Sequence, residues 1–458
     1  QKMLYFHYQA ARYIQNQSTK QFEEQVKRTP QYKYSNEKDK LNLEIVELPD
    51  GTYIPTTDYN GNVSWGKVSA VTRHDPGEKL YKIKTDGGRD VIVTAAKSLL
   101  IWNKDIKEFR EKLTTDIVVG DYVPVTKDLA EPPVITENIN LSNYLSKSEY
   151  IYGTDYNIAI KLMEEEMINK EKCSNNWWTK MNNNKFELPF KSKSSLLRST
   201  TKQNQLNSKF ESNYIYPYGA NQKNTKISDT FELNKENGIF IGLFLSEGSI
   251  TGRSIRITNQ DKDIQQFVKL WFESKNINYD IEDRINNSGG RSFTIRGHST
   301  IFTKFITKLV GKGAENKFIP SEAFTASKEF ISGLLNGYFS GDGCITKNSI
   351  DASSASKRLI EGISMLCSRL GIFCKTYTTI LKKNNFGTKN IKPSHRLRIS
   401  SQWAELFSRQ INLIHKEKIS KMKLKKWNKK HQKYESLNNI IMDSITEIIE
   451  INKDEIES

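Results

Sequence analysis

The sequence predicts a multidomain protein in which an all-β domain is interrupted by an α+β domain made of two similar lobes. Three observations predict this fold class: strand-like runs separated by turn signals over 41–127, an internal repeat within 231–434, and β-like alternation over 437–450. The chain has 458 residues, which is longer than one core normally supports. We expect four regions, namely the first part of the β domain at 1–134, an insertion at 135–230, the two lobes at 231–434, and the last β strands at 435–458.

The composition favours a polyanionic partner and argues against a membrane span. Lys and Arg number 69 against 53 Asp and Glu, which gives a net charge of +16. The longest apolar run, 239–245, is much shorter than the about 20 residues of a transmembrane helix. The four cysteines have no CxxC spacing, so we expect neither a disulfide framework nor a zinc site, and we expect an intracellular, reducing compartment.

Turn signals divide the first region into hairpins, because their residue types are those that tight turns prefer: Asp50-Gly51, Asn60-Gly61 and Asp86-Gly87-Gly88. Before them, residues 1–15 predict an amphipathic helix without a signal-peptide cleavage site. The second region, 135–230, is rich in Asn, Lys and Ser. We interpret it as an insertion or a nucleic-acid-binding arm, in which Trp177 and Trp178 could contact the ligand or fasten the arm to the β domain.

The third region repeats itself. Two stretches match at a shift of 95 residues and a third at a shift of 104: 240–251 with 335–346, 261–277 with 356–372, and 291–310 with 395–414. Two copies of a unit of this size predict a pair of pseudo-symmetric lobes, because a solenoid needs at least three copies. We expect lobes at about 231–325 and 326–434, each with an αββαββα-type order.

The first helix of each predicted lobe contains a glycine in an apolar turn. Gly242 and Gly337 occupy equivalent positions of the repeat. Glycine inside a helix costs about 1 kcal/mol relative to alanine. The matching pair therefore indicates that two helix backbones approach each other closely.

Each of these helices ends in an acidic residue followed by glycine, as Glu247-Gly248 and Asp342-Gly343. We expect both glycines to adopt the left-handed conformation that often ends a helix. A carboxylate at a helix C-terminus opposes the helix dipole, so two of them side by side favour a bound cation. Oxygen ligands select Mg²⁺ over zinc.

The two helices resemble the paired LAGLIDADG motifs of a single-chain homing endonuclease. The resembling segments are FIGLFLSEG at 240–248 and LNGYFSGDG at 335–343, with Leu245 and Ser340 in place of the first acid. The resemblance implies that the two helices form the lobe interface. It also implies that Glu247 and Asp342 bind Mg²⁺ for phosphodiester hydrolysis and that the partner is double-stranded DNA. The active protein would then be a monomer with an internal pseudo-dimer, located in the nucleus or wherever the target DNA lies.

A lysine block precedes the second motif. GKGAENKFIPSEAF at 311–324 is similar to the Lys-x-Ile-Pro block of intein-borne members of this family, which implies a catalytic role for Lys317. Carrying the shift of 104 onward places Lys421 opposite Lys317 as a second catalytic candidate. An ordinary solvated lysine at 421 is an equal alternative.

Alternating strands predict a DNA-binding surface. One face of each strand is apolar, and the other offers hydrogen-bond donors that could reach base edges: Arg256, Thr258, Thr294, Arg296, Arg396 and Arg398. Residues 415–433 carry nine lysines and one glutamate, so we expect Lys425 and Lys426 to contact phosphates. A solvated helix or a nuclear-localisation stretch is the alternative.

The β segments resemble the splicing domain of inteins. In GRDVIVTAAKSLLIWN at 88–103, Thr94 is present and Lys97 stands where histidine is usual. The resemblance implies a horseshoe-shaped all-β Hint domain around the endonuclease. Splicing needs a nucleophilic first residue and a C-terminal His-Asn pair, whereas this chain has Gln1 and ends in INKDEIES, so we expect that it does not splice itself as given.

Taken together, these patterns favour a Mg²⁺-dependent, site-specific DNA endonuclease of an intein whose splicing domain is incomplete. Two alternatives stay open. One is an RNA maturase that binds nucleic acid without cutting it, and the other is a protein that is chiefly a splicing element.

Overall fold

The computed structural model describes a large part of the chain, and the account below is confined to that part. The described residues are 3–4, 33–34, 43–48, 52–73, 77, 79–145, 150–153, 212–217, 226–285, 290–380, 393–423, 427 and 434–452.

Strands dominate the parts of the chain that flank the two lobes. In the first part they are β1 (Met3–Leu4), β2 (Lys33–Tyr34), β3 (Leu43–Glu47), β4 (Tyr53–Thr57), β5 (Val63–Lys67), β6 (Ala70–Arg73), β7 (Lys79–Thr85), β8 (Asp90–Thr94), β9 (Ser98–Asn103), β10 (Glu108–Leu113), β11 (Tyr122–Thr126), β12 (Asn138–Asn140), β13 (Tyr150–Tyr152), β14 (Tyr214–Pro217), β15 (Ile227–Ser228) and β16 (Thr230–Glu232). Two more, β25 (Ser436–Leu437) and β26 (Ile440–Asn452), follow the lobes.

The two lobes contain all the α-helices of three or more turns in the described chain. Lobe 1 consists of α1 (Lys235–Glu247), β17 (Gly248–Thr251), β18 (Ser254–Thr258), α2 (Lys262–Ser274), β19 (Asn278–Ile285), β20 (Arg291–His298) and α3 (Thr300–Val310). After the short α4 (Ser321–Phe324), lobe 2 consists of α5 (Lys328–Asp342), β21 (Cys344–Ile345), β22 (Ser349–Ser354), α6 (Lys357–Ser368), β23 (Lys375–Ile380), β24 (Pro393–Ser400), α7 (Ser401–Gln410) and α8 (Lys416–Lys423).

The long strand β26 joins the two ends of the chain in one sheet. It pairs antiparallel with β11 through its first half and with β7 through its second half, and β7 continues into β8. The predicted turns at Asn60-Gly61 and Asp86-Gly87-Gly88 connect β4 to β5 and β7 to β8, with positive φ at Gly61 and Gly88. The β domain is therefore continuous in space although the lobes interrupt it in sequence.

The β domain contacts lobe 2 through the turn between β7 and β8. The Thr376 amide on the edge strand β23 donates to the Gly87 carbonyl at 3.0 Å, and Arg89 donates to the Cys374 carbonyl at 2.8 Å. Buried Asp443 of β26 accepts from the Gly87 amide at 2.9 Å. This turn fastens the edge of the lobe 2 sheet to the β domain.

The two lobes have the same architecture. Each has an antiparallel four-stranded sheet, in the order β17-β18-β20-β19 in lobe 1 and β21-β22-β24-β23 in lobe 2. Helices cover one face of each sheet, as the buried Ile255, Ile295, Leu397 and Ile399 show. The predicted pseudo-symmetric αββαββα order is confirmed.

The strand pairing corrects the second repeat shift. Arg256 pairs with Arg296 in lobe 1, and Asp351, which lies 95 residues after Arg256, pairs with Arg398 in lobe 2. The last strand of lobe 2 is therefore equivalent to that of lobe 1 at a shift of 102 residues, and the expected 104 is wrong. The connection between β23 and β24, 381–392, is seven residues longer than its equivalent in lobe 1, 286–290, and this raises the repeat shift from 95 to 102.

The structure bears on two expectations for the first half of the chain, the N-terminal helix and the insertion at 135–230. Met3 and Leu4 are not helical but pair with Thr57 and Thr56 of β4, and the rest of the helix expected at 1–15 lies outside the described residues. Within 135–230, β12 pairs with β16, while Trp177 and Trp178 lie outside the described residues. No helix in the described ranges is long and apolar enough to cross a membrane.

Candidate active site at the lobe interface

Helices α1 and α5 pack against each other between the two lobes with their backbones in contact. A Cβ atom at Gly238 would lie 2.5 Å from the Phe330 carbonyl oxygen, and one at Gly242 would lie 2.6 Å from the Tyr338 amide nitrogen. The relation is reciprocal, because a Cβ at Gly337 would lie 2.8 Å from the Leu243 amide nitrogen. The close approach expected from the matched glycines is confirmed, and it brings the ends of the two helices together.

The glycines that end these helices have a different role from the one expected. Gly248 and Gly343 have φ of −81° and −70°, so neither is left-handed. A Cβ at Gly248 would lie 2.6 Å from Cα of Phe244, and one at Gly343 would lie 2.9 Å from Cα of Phe339. Glycine is needed here because the chain folds back tightly against the last helical turn on its way into the sheet.

Glu247 and Asp342 lie next to each other at these two ends. The Glu247 Cγ would be 2.9 Å from a Cβ on Gly341, the residue before Asp342. Asn259 fixes the Glu247 side chain by donating to Oε1 at 2.9 Å. The juxtaposition inferred from the sequence is therefore present in the structure.

Lys317 closes the end of α1. Its side chain is 6% exposed, and Nζ donates to the carbonyls of Phe244, Leu245 and Gly248 at 2.8, 3.0 and 2.7 Å. All three ammonium protons are thereby used. The positive charge stabilises the negative end of the helix dipole beside the two carboxylates.

Lys418, which the sequence analysis missed, closes the end of α5 in the same way. Its Nζ donates to the carbonyls of Phe339, Ser340 and Gly341 at 3.2, 2.7 and 2.6 Å. Lys421 instead points away and pairs with Glu417 at 2.6 Å on an exposed helix face. The structure therefore brings Lys418, and not Lys421, to the lobe interface; a repeat shift of 101 residues from Lys317 would have found it.

The charged side chains of the site have shifted pKa values, because they are buried and lie close to one another. Burial, with repulsion from Glu247, raises the pKa of Asp342 to about 6, and burial raises the pKa of Glu247 against the Asn259 hydrogen bond. Burial lowers the pKa of Lys317 to about 8, although Asp342 and Glu247 oppose the change. Burial likewise lowers the pKa of Lys418. Each charge at this interface is incompletely compensated.

The donor set fits a divalent cation with a preference for oxygen. Two adjacent carboxylates whose pKa values are raised would both be stabilised by a cation between them, and Mg²⁺ typically binds to one or two carboxylates and completes its shell with water and phosphate oxygens. Within the described ranges, no group of three or more His, Cys, Asp and Glu side chains is placed to hold a metal. Glu247 and Asp342 are the residues that would hold the ion.

The predicted strand residues lie on the sheet faces opposite the helices, but Thr294 is only 3% exposed, so its side chain is not accessible to DNA. In lobe 1, Arg256 and Arg296 are cross-strand neighbours, and Thr258 shares a 2.8 Å hydrogen bond with Thr294. In lobe 2, Arg398 is on the same face as Arg396, two residues earlier. Lys425 and Lys426 lie outside the described residues.

The splicing-block residues belong to the β domain and not to the two lobes. Thr94 ends β8, and the Lys97 amide donates to the Thr94 carbonyl at 3.1 Å in the turn that leads to β9. The Lys97 side chain is exposed. Its backbone carbonyl accepts from the Thr114 amide at 2.9 Å, so the turn is held by the backbone.

The pair of lobes corresponds to a described protein family. Residues 234–306 and 329–412 match the LAGLIDADG-like domain. Both matched segments begin within the motif helices or just before them, so the match covers the same duplicated unit that the sheets display.

Curated relatives of the chain are proteins with very different names. They include, from Methanocaldococcus jannaschii, the DNA-directed RNA polymerase subunit Rpo1C (29% identical over 83% of this chain and 36% of the relative), the probable translation initiation factor IF-2 (27%, over 52% and 19%) and the replication factor C small subunit (30%, over 34% and 8%). The chain thus spans about a third or less of the length of these relatives.

Solved structures similar to the chain include two homing endonucleases. The crystal structure of I-DmoI in complex with DNA and Mn is 13% identical with a TM-score of 0.29, over 39% of this chain and 97% of that chain. I-WcaI bound to its DNA recognition sequence is 17% identical with a TM-score of 0.29, over 43% and 88%.

Proposed function

We propose that this chain is a site-specific endonuclease that hydrolyses phosphodiester bonds of double-stranded DNA with Mg²⁺. One observation carries the proposal: Glu247 and Asp342 stand side by side at the ends of two crossing helices, with Lys317 and Lys418 beneath them. Like charges at two negative dipole ends destabilise the fold, and their retention is explained by a bound cation.

The residues divide the chemistry among them. A divalent ion at this place would activate water and stabilise the leaving oxygen. Glu247 and Asp342 would hold it, and the Asn259 hydrogen bond orients Glu247. Lys317 and Lys418 act as positioning residues, because carbonyls of the helix ends already accept from them.

The open sheet faces supply the DNA-binding surface of the proposal. Both sheets present arginine, threonine and serine side chains at a period of two residues, which suits contact with base edges in the major groove. The net charge of +16 supplies the non-specific attraction to phosphates. Since one chain contains both halves of the site, we propose that it acts as a monomer.

The test is cleavage of a plasmid library of random sequence by the purified chain. Mg²⁺ should yield fragments with a shared end sequence, and EDTA should prevent them. The combined variant Glu247→Gln and Asp342→Asn is the matched control, because it keeps shape and hydrogen bonding while removing both charges. Fragments that form equally with the control variant would refute the proposal.

We also propose that the β domain is of intein origin, with the Hint fold that Thr94 and the neighbouring strands suggest. Two observations support it: β26 joins β7 and β11 around the inserted lobes, and the relatives have unrelated names and match over part of their length only. A segment that transfers between host genes would give such a pattern. Mass spectrometry of the native gene product tests this, since an intein origin requires a joined flanking protein separate from this segment.

A further inference from the structure

In each lobe, an aspartate forms a bidentate ion pair with the central arginine of the open sheet face. We call each of these pairs a clamp. Asp280 accepts from Nε of Arg296 at 2.8 Å and also from its Nη2. Asp351 accepts from Nε of Arg398 at 2.9 Å and from its Nη2 at 3.2 Å. Both lobes therefore use the same edge of the guanidinium group, which leaves the Nη1–Nη2 end of each arginine free of the aspartate.

The two clamps approach from opposite sides. Across the strands, the row in lobe 1 reads Arg256, Arg296 and Asp280, whereas the equivalent row in lobe 2 reads Asp351, Arg398 and Lys375. The carboxylate therefore comes from β19, on one side of the central arginine, in lobe 1 and from β22, on the other side, in lobe 2. A clamp that is rebuilt from a different strand in the second copy indicates that the clamp itself is required.

Lobe 1 adds a second carboxylate. Glu282, whose side chain is 11% exposed, pairs with Arg256 at 3.0 Å and lies 3.7 Å from Nη1 of Arg296. In lobe 2 the position equivalent to Glu282 is occupied by Tyr377, whose ring lies 5.7 Å below the guanidinium of Arg398. Lobe 1 therefore carries more negative charge on its open face than lobe 2 does.

Clamped arginines differ from free ones in what they can recognise. A free arginine on a DNA-facing surface contacts any phosphate, so it adds affinity without sequence preference. An arginine whose Nε edge is occupied can offer only its Nη1–Nη2 end, and the two parallel donors there match O6 and N7 of guanine. The carboxylate also repels phosphates, which lowers the affinity for DNA bound in any register that brings a phosphate next to it.

We propose that Asp280 and Asp351 are specificity-determining residues, one in each half of the DNA site, that aim Arg296 and Arg398 at a guanine. The proposal rests on the proposed function and extends it, because it states which base the central residue of each sheet reads.

The chain offers a matched control on the same strand. Asp283 accepts from Nε of Arg291 at 2.9 Å, but the cross-strand register places it opposite Phe293, on the side of the sheet that carries buried Ile295. Asp283→Asn removes one charge and releases one arginine, as Asp280→Asn does. The main difference is the face of the sheet on which the pair lies, although Asp280 also lies 3.3 Å from Nε2 of His298.

The experiment measures binding to a target selected by affinity from random-sequence DNA, to versions of it with single base-pair changes, and to unselected random-sequence DNA. Asp280→Asn should reduce the preference for guanine about tenfold at one position in the lobe 1 half of the target and leave the lobe 2 half unchanged. Asp351→Asn should do the reverse. In both variants, the slope of log affinity against log salt on random DNA should become steeper by about one unit, since one arginine is freed to bind a phosphate.

Asp283→Asn should behave as wild type in each assay. The proposal is overturned if guanine preference in either half is unchanged in the corresponding variant, or if Asp283→Asn changes binding as much as the clamp variants do. Failure of the proposed function would look different. Selective binding without cleavage by the wild type would refute the endonuclease while leaving the clamp test intact, and an absence of DNA binding would refute both.

Discussion

Lys418 stands in the same relation to the end of α5 as Lys317 does to the end of α1. Each ammonium donates to three carbonyls of the helix end, and each lies close enough to both carboxylates for their charges to alter its pKa. Both lysines follow the last helix of the duplicated unit, since Lys317 lies seven residues after the end of α3 and Lys418 eight residues after the end of α7. The site is therefore two-fold symmetric in its cations as well as in its anions.

This relation predicts different outcomes for two neighbouring lysines. Lys418→Met should slow single-turnover cleavage at least about 30-fold, because the end of α5 loses its charge partner next to Asp342, whereas Lys421→Met should stay within about twofold of wild type. The pH dependence of the rate should shift only in Lys418→Met. Equal effects of the two substitutions would contradict the assignment.

The crossing of α1 and α5 predicts a severe effect of one methyl group. Gly337→Ala places a Cβ 2.8 Å from the Leu243 amide nitrogen, where neither backbone can retreat without separating the lobes. We expect a loss of at least about 3 kcal/mol in the free energy of unfolding, measured by urea denaturation. Lys235→Ala, at an exposed position of α1, should change it by less than about 0.5 kcal/mol. A stable Gly337→Ala variant would mean that the helices do not cross this closely.

The contact between the β domain and lobe 2 can be tested with two glycines that share a backbone conformation. Gly88 and Gly77 have φ of +84° and +81°, but a Cβ at Gly88 would lie 2.6 Å from the carbonyl carbon of Thr376, whereas one at Gly77 would meet nothing within 4 Å. Gly77→Ala should cost about 1 kcal/mol for the strained φ alone. Gly88→Ala should cost clearly more in a urea titration; equal costs would show that the turn is not docked on β23.

The raised pKa of Asp342 predicts how the metal-free protein responds to pH. The folded state holds this proton up to about pH 6, whereas an unfolded aspartate releases it near its ordinary pKa of 3.8, so stability falls as pH rises between these values. Asp342→Asn should therefore be more stable than wild type at pH 7.5 in EDTA. Asp342 keeps contact with solvent although its carboxyl is partly desolvated, so water screens part of the effect. We therefore expect a gain of about 1 kcal/mol rather than the about 3 kcal/mol of two full pKa units.

Two comparisons serve as controls for that measurement. Below pH 4 the stabilities of Asp342→Asn and wild type should converge, because the wild-type carboxyl is then protonated in both states. Added Mg²⁺ should raise the melting temperature of the wild type but not of the variant. A wild type that gains stability as pH rises from 4 to 6 relative to Asp342→Asn would contradict the raised pKa.

Local patterns in the sequence predict the parts of this fold that depend on local physics. Ile255 and Ile257 alternate with Arg256, and this period of two residues places them on the buried face of β18. Gly242 and Gly337 mark a helix crossing because glycine is costly elsewhere in a helix. The matched acids follow from the same repeat.

Features that depend on loop length or on tertiary contacts could not be predicted from local sequence patterns. The repeat shift changes from 95 to 102 across the connection 381–392 and is 101 at Lys418, so the expected shift of 104 led to Lys421 instead. The negative φ of Gly248 depends on how tightly the chain turns from α1 into β17. Asp280 and Asp351 escaped notice because they come from non-equivalent strands and meet their arginines only after the sheets have formed.

The central claim is that Glu247 and Asp342 together hold the metal that cuts DNA. It is tested most directly by measuring binding and cleavage of the selected target side by side for wild type, Glu247→Gln and Asp342→Asn. Both variants should bind the target within a few-fold of wild-type affinity, because neither residue lies on the open sheet faces, and both should cleave it at least about 10³-fold more slowly in Mg²⁺. Cleavage at the wild-type rate by either variant would contradict the account.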